Sequence, residues 1–126
     1  MKKIITTSQA PAPIGPYNQA VLSGNTLFIS GQVAYNVATK SFEIGDVKHE
    51  TSLVMQNLKA ILKKANMTFE NVVKTSIFIK NMDDFATIND IYGSYFNSDT
   101  APARETVEVA RLPKDVNVEI SMIAVQ

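Results

Sequence analysis

Only two arginines stand among the twelve basic residues, and both fall in one short stretch. That stretch is Pro102-Ala103-Arg104-Glu105-Thr106-Val107, running on to Arg111-Leu112-Pro113. A guanidinium is planar, permanently charged and able to hold a carboxylate through two parallel hydrogen bonds, which a lysine ammonium cannot reproduce. Arg104 sits where a proline-bounded loop gives way to a β-rich run, so a small carboxylic acid is the first ligand to consider; the plain alternative is a surface ion pair with Glu105. Glu119 is the second candidate. It lies between Val118 and Ile120, and a half-buried glutamate there would have a pKa raised toward the range useful for proton transfer. A solvent-facing place on an alternating strand is the other reading. Tyr17, after Ile14-Gly15-Pro16, can present a hydroxyl rigidly or serve as a packing anchor. Ser30-Gly31 ends a strand-like run, where glycine admits close approach of a ligand or makes a bulge.

The rest of the composition removes most other machinery. The chain has 126 residues, balanced charge (12 Lys+Arg, 12 Asp+Glu), one His and no Cys. Without cysteine there is no disulfide, no thiolate nucleophile and no cysteine zinc site. A lone histidine, His49, makes no His-pair metal motif and cannot easily give a serine triad both its base and its neighbours; beside Lys48 and Glu50 it reads as a solvated helix residue. No Walker loop, G-x-S-x-G or dinucleotide fingerprint is present, so neither metal nor cofactor is expected. Zero net charge argues against nucleic acid and anionic membranes as partners. No apolar run approaches the ~18 residues needed to cross a bilayer, and the start, MKKIITTSQAPAPIGPY, has no continuous apolar segment, so a cytoplasmic protein is expected.

The candidate residues must be positioned by elements that the pattern makes visible. Residues 2–6 begin β-like and run into a Pro-rich loop. Asn18–Ser23 and Thr26–Ser30 flank Gly24-Asn25, a turn pair that predicts a β-hairpin. Residues 36–45 read as a second hairpin-like excursion or a loop. Asp46 is placed to cap a helix running to about Asn66, with Val47, Val54, Leu58, Ile61 and Ala65 on one face. Val72–Lys80 is rich in β-branched residues and predicts a strand. A second helix is expected over Asp84–Phe96, capped by Asp83 or Asp84, with Phe85, Ile88, Tyr92, Tyr95 and Phe96 at helical spacing and therefore core. The tail alternates, Val116, Val118, Ile120, Met122 and Ala124 on one face and Asn117, Glu119, Ser121, Ile123 and Val125 on the other. The sum is an α+β domain whose sheet carries two helices on one face. Its other face, with Ile123, Val125 and part of 72–80, calls for self-association.

Taken together, IGPYNQAV, LFISGQV, DFATINDIY, PARETVEVARLPKDV and VEISMIA resemble the RidA/YjgF family of imine deaminases. The match runs from about residue 4 to the C-terminus and is most specific from Pro102 to Val116. The resemblance implies a single RidA-like domain over 1–126, with a chorismate-mutase-like mixed sheet, two helices on one face, and a homotrimer with ligand clefts between subunits. It implies an activity as well: hydrolysis of reactive 2-imino acids such as 2-iminopropanoate and 2-iminobutanoate to 2-oxo acids and ammonia, protecting pyridoxal-phosphate enzymes from imine damage. In the family pattern Arg104 matches the carboxylate-binding arginine, and Glu119 the glutamate that activates water with help from the backbone carbonyl at Thr106. Tyr17, Ser30, Gly31 and Asn89 match positions lining the same cleft.

Such a reaction needs little equipment. A protonated imine is already electrophilic, so an oriented water, a proton route and a grip on the carboxylate suffice. The sequence departs from the family pattern at Thr106, where cysteine is frequent, at Glu105, where a small hydroxyl residue is usual, at Ser121, and in the stretch VAYNVATK, which lacks the usual prolines and glycine. Glu105 should point away from Arg104, as neighbours on a strand do. The competing reading is a non-catalytic module that binds small carboxylates, or a chaperone-like protein using the same cleft. Ribonuclease activity or translation inhibition, also attached to the family, suits this neutral chain least.

Overall fold

The computed structural model describes all 126 residues, Met1–Gln126. Asp46 opens α1 (Val47–Lys64) from an extended backbone, its carboxylate accepting a hydrogen bond from the Lys48 amide at 3.0 Å. That satisfies one of the donors a helix start leaves free. Val54, Leu58, Ile61 and Leu62 recur at three- and four-residue spacing and are fully buried against the sheet, which ties the helix to the core and not to its own propensity. Lys63 and Lys64 fall in the last turn, where positive charge suits the helix dipole.

Eight strands accompany it: β1 (Lys2–Ile5), β2 (Ala20–Ser23), β3 (Thr26–Gln32), β4 (Tyr35–Asn36), β5 (Ser41–Phe42), β6 (Val72–Ile79), β7 (Ala103–Glu108) and β8 (Val118–Val125). Six form one mixed sheet in the order β1-β2-β3-β8-β6-β7, and β4 and β5 pair separately. Every pairing is antiparallel except β6 with β7. A parallel pair needs a crossover, and α2 (Phe85–Gly93) supplies it. The expected hairpin forms on Gly24-Asn25, with Ser23 opposite Thr26 and Gly24 at φ 58°. Residues 36–45 hold only the short β5 and one residue of β4, its partner, joined edge to face through Tyr35 and Phe42.

Three expectations need correction. The second helix ends at Gly93 and not at Phe96, because Tyr95 and Phe96 turn out of it and set their rings edge-on against Phe69. Asp84 makes no side-chain cap; a 3-10 turn over Met82–Asp84 precedes the helix, capped by Asn81. Val116, expected in the last strand, is buried but lies before it, since Lys114 and Asp115 turn the chain through left-handed conformations.

The sheet has two unlike faces. Leu27, Ile29, Ile77, Ile79, Ile120, Met122 and Ala124 pack under the helices in one core. On the other face Ile4, Val21, Phe28 and Ile123 stand opposite one another across β1, β2, β3 and β8. No element of the chain covers them, and Phe28 is 49% exposed.

Candidate functional site

Arg104 is placed by the parallel pairing of β7 with β6, which sets it beside Thr75 on the helix-covered face. Phe85, Asn89 and Tyr92 share one face of α2 at i, i+4 and i+7, and all three reach it. Its Nη1 donates to Asn89 Oδ1 at 2.8 Å. The guanidinium carbon lies 5.1 Å from the Tyr92 ring centroid and 5.8 Å from that of Phe85, within range of an attractive cation–π contact. Tyr92 is itself fixed, its hydroxyl donating to buried Thr75 Oγ1 at 2.9 Å. Burial pushes the Tyr92 phenol up, against the opposing effects of the Thr75 bond and the Arg104 charge, so it stays a neutral donor. The other guanidinium N–H groups of Arg104 find no acceptor in the chain. Two residues along, Thr106 Oγ1 is buried without a hydrogen-bond partner.

Glu105 points the other way, to Lys74 Nζ at 2.8 Å and to the Ser76 hydroxyl, so it leaves the guanidinium free of competition. Its carboxyl is held below the usual carboxylate range by those bonds, Lys74 foremost.

Glu119 belongs to the uncovered face, opposite Phe78. The pairing of β3 with β8 slips between Ile29 and Gln32, which leaves a bulge at Ser30 and Gly31. The glutamate's carboxyl lies over that bulge. A Cβ at residue 31 would stand 2.6 Å from Glu119 Oε2, so glycine is required for the carboxyl to lie there. Burial raises the pKa of Glu119. Ser30 is held by its hydroxyl to the Asn18 carbonyl at 2.6 Å and by its amide to the Gln19 carbonyl at 2.9 Å. Tyr17 is half exposed, and with Ile14, Gly31, Val33, Tyr35 and Phe42 it borders a hollow of about 70 Å³.

The candidate residues thus form two groups. Arg104, Asn89 and Thr106 lie on the helix side of the sheet, Glu119, Ser30 and Gly31 on the uncovered side, with Tyr17 at the latter group's hollow. Within one chain the sheet separates the arginine from the glutamate. A hollow of about 610 Å³ lies along the C-terminal half of α1 beside Lys59, Lys63 and Lys64 and touches neither group. Sequence reasoning took Phe85 and Tyr92 as core; Tyr92 is buried, but Phe85 is 37% exposed and lies outside the core, and their spacing to Asn89 was the signal that both surround a charge. His49, read as solvated, bonds Glu43 Oε1 at 2.6 Å.

Comparison with known proteins matches the chain to one family. The family model described as Endoribonuclease L-PSP matches residues 7–126. A RutC family protein of Synechocystis is 54% identical over 124 residues, covering 98% of this chain and 95% of its own. The 2-iminobutanoate/2-iminopropanoate deaminase of Bos taurus is 46% identical over 126 residues, covering 100% of this chain and 91% of its own. The crystal structure of Escherichia coli TdcF with bound serine superposes with a TM-score of 0.92 at 43% identity, over 98% of both chains. With a family match over nearly its whole length and relatives at this identity, the chain belongs to the RidA/YjgF family, the Endoribonuclease L-PSP group.

Proposed function

We propose that the protein is a 2-iminobutanoate/2-iminopropanoate deaminase, hydrolysing 2-imino acids and their enamine tautomers to 2-oxo acids and ammonia. One observation carries this reading: an arginine oriented by an amide and two aromatic rings, with N–H groups still unengaged. The deaminase name of a relative at 46% identity and the serine held by TdcF point to the same kind of small carboxylate.

In this mechanism Arg104 holds the substrate carboxylate, its position set by Asn89, Tyr92 and Phe85. Water adds to the imine carbon, giving up a proton to Glu119, with the Thr106 carbonyl orienting it. Glu119 returns this proton to the nitrogen of the resulting carbinolamine and takes up the hydroxyl proton as the C–N bond breaks, so that ammonia and the 2-oxo acid leave and the glutamate passes the remaining proton to solvent. A burial-raised pKa makes Glu119 a stronger base than an exposed glutamate, which suits it to that first step. No covalent intermediate is required, consistent with a chain without cysteine.

Because one sheet divides Arg104 from Glu119, the working site is assembled between copies, in a chorismate-mutase-like homotrimer, with Tyr17, Ser30 and Gly31 lining the cleft on the glutamate's side. The uncovered apolar face supports such an assembly. In a cytoplasmic setting the activity would clear imines released by pyridoxal-phosphate dehydratases.

The test is ammonia release from freshly generated 2-iminobutanoate and 2-iminopropanoate. We expect catalysis by the wild type and a loss of at least about a hundredfold in kcat/KM for Arg104→Lys, as a bidentate grip is replaced by a point charge. Unchanged turnover in that variant would remove Arg104 from the mechanism. No acceleration by the wild type on any imine would leave a small-carboxylate-binding module.

A further inference from the structure

Glu50 is a fully buried carboxylate that the mechanism above does not use. It sits in the first turn of α1, and no lysine, arginine or histidine pairs with it. Its two carboxyl oxygens are met by N–H groups alone. Oε1 accepts from the Asn117 backbone amide at 2.9 Å, and Oε2 accepts from the Gly45 amide at 3.0 Å and from the Asn117 side-chain amide. The Asn117 carbonyl in turn accepts from the Lys80 amide at 3.0 Å. One acid therefore joins the start of α1, the end of β6 and the entry to β8. Asn117 is two residues from Glu119, directly after the left-handed pair Lys114 and Asp115 and the buried Val116.

We infer that Glu50 is a positioning residue for Glu119: by clamping Asn117 at its main-chain and side-chain amides, it fixes where β8 starts and so where the Glu119 carboxyl lies over Gly31. The clearance at Gly31 is small enough that a Cβ would collide with three atoms of that side chain, so a modest slip at the strand entry displaces the carboxyl. The inference rests on the deaminase reading of Glu119. It requires the acid specifically. Both oxygens of Glu50 face donors, so a glutamine must turn its own NH₂ toward an N–H whichever way its amide is flipped.

Three variants test it: Glu50→Gln, the pair Glu50→Gln with Asn117→Asp, and Asn117→Ala. In the pair, the carboxylate introduced by Asn117→Asp would supply an acceptor for the glutamine NH₂, restoring complementarity at one contact. The readouts are kcat and KM on 2-iminobutanoate, thermal stability, and the titration of the Glu119 carboxyl followed by carbon NMR. We expect Glu50→Gln to lower kcat by about tenfold with KM nearly unchanged, since the Arg104 grip is untouched. The Glu119 titration should move down toward that of an exposed glutamate, and the double variant should recover part of both. Asn117→Ala, which keeps the backbone contact, should give smaller changes in the same direction and serves if Glu50→Gln fails to fold. Lower stability with kcat and the Glu119 titration as in the wild type would overturn the inference, as would a double variant no better than Glu50→Gln. If the wild type shows no turnover, the deaminase reading fails, while the NMR titration still decides whether Glu50 sets Glu119.

Discussion

Under the proposed mechanism the Glu119 carboxyl would couple the reaction to pH in a defined direction. Burial raises its pKa above the ordinary 4.5, so the charged form is the disfavoured one in the folded state. As a base it must be ionised, and the acid limb of the kcat profile should therefore fall at a higher pH than an exposed glutamate would give. Stability runs the opposite way: the desolvated charge weakens the fold above the folded pKa, and the penalty is relieved as pH drops through it. Glu119→Gln should abolish turnover and slightly raise the thermal midpoint at neutral pH, with that advantage fading in acid. A calorimetric pH series on the two proteins checks both signs. Gly31 is the complementary probe. Gly31→Ala must push the carboxyl aside, and the expected result is a fall in kcat of about tenfold or more with the fold intact by circular dichroism.

At this scale the sequence was readable where chemistry is scarce and unreadable where it is shared. Arg104 stood out because arginine is rare here and falls where a proline-bounded loop gives way to a strand, and Glu119 because it interrupts an apolar alternation. Tyr92 did not stand out. Its helical spacing correctly placed it in the core, at 4% exposure, yet the same ring lies against a guanidinium, and one-dimensional periodicity cannot express a face that is both packed and used. Glu50 was hidden for the same reason: an acid in the first turn of a helix is expected to be solvated, and only the return of Asn117 from 67 positions away buries it.

Among the elements, the Pro-rich loop between β1 and β2 shows how a segment without regular structure is held. Gln19 is 2% exposed, and its amide meets the loop at four places: Oε1 accepts from the Thr7 amide at 2.7 Å, while Nε2 donates to the carbonyls of Thr7, Ala10 and Pro11 at 3.0, 3.1 and 2.8 Å. Proline forbids the loop a hydrogen-bonded ladder, so a side chain supplies the bonds instead. Gln19→Leu keeps the bulk and strands those groups. We expect a loss of about 2–3 kcal/mol in denaturant unfolding, together with faster amide exchange confined to residues 7–19. The elements themselves were largely legible, because α1, β6 and β8 each announce a period. The end of α2 was not, since Tyr95 and Phe96 continue its apolar spacing while both rings pack against Phe69 and Phe96 also packs against Tyr92. Nor did the residues reveal that β7 runs parallel to β6; strand direction follows from the crossover by α2, not from either strand's composition.

For the whole molecule, the division of the candidate residues by the sheet makes a prediction about assembly that a single chain cannot satisfy. Ile4, Val21, Phe28 and Ile123 form an unbroken apolar row on the side that holds Glu119, and Phe28→Asp should break the assembly to a species of one chain by light scattering. Turnover should disappear with it, although neither Arg104 nor Glu119 is altered. Complementation gives the sharper outcome. Arg104→Ala and Glu119→Ala chains are each expected to be inactive alone. If a site takes its arginine from one copy and its glutamate from the next around a closed ring, random mixing after co-refolding in equal amounts joins an intact arginine to an intact glutamate at about one site in four. About a quarter of wild-type activity should therefore return. Were both groups to serve a substrate from within one chain, no mixture of the two variants would contain a complete site, and activity would stay at the level of the inactive parents.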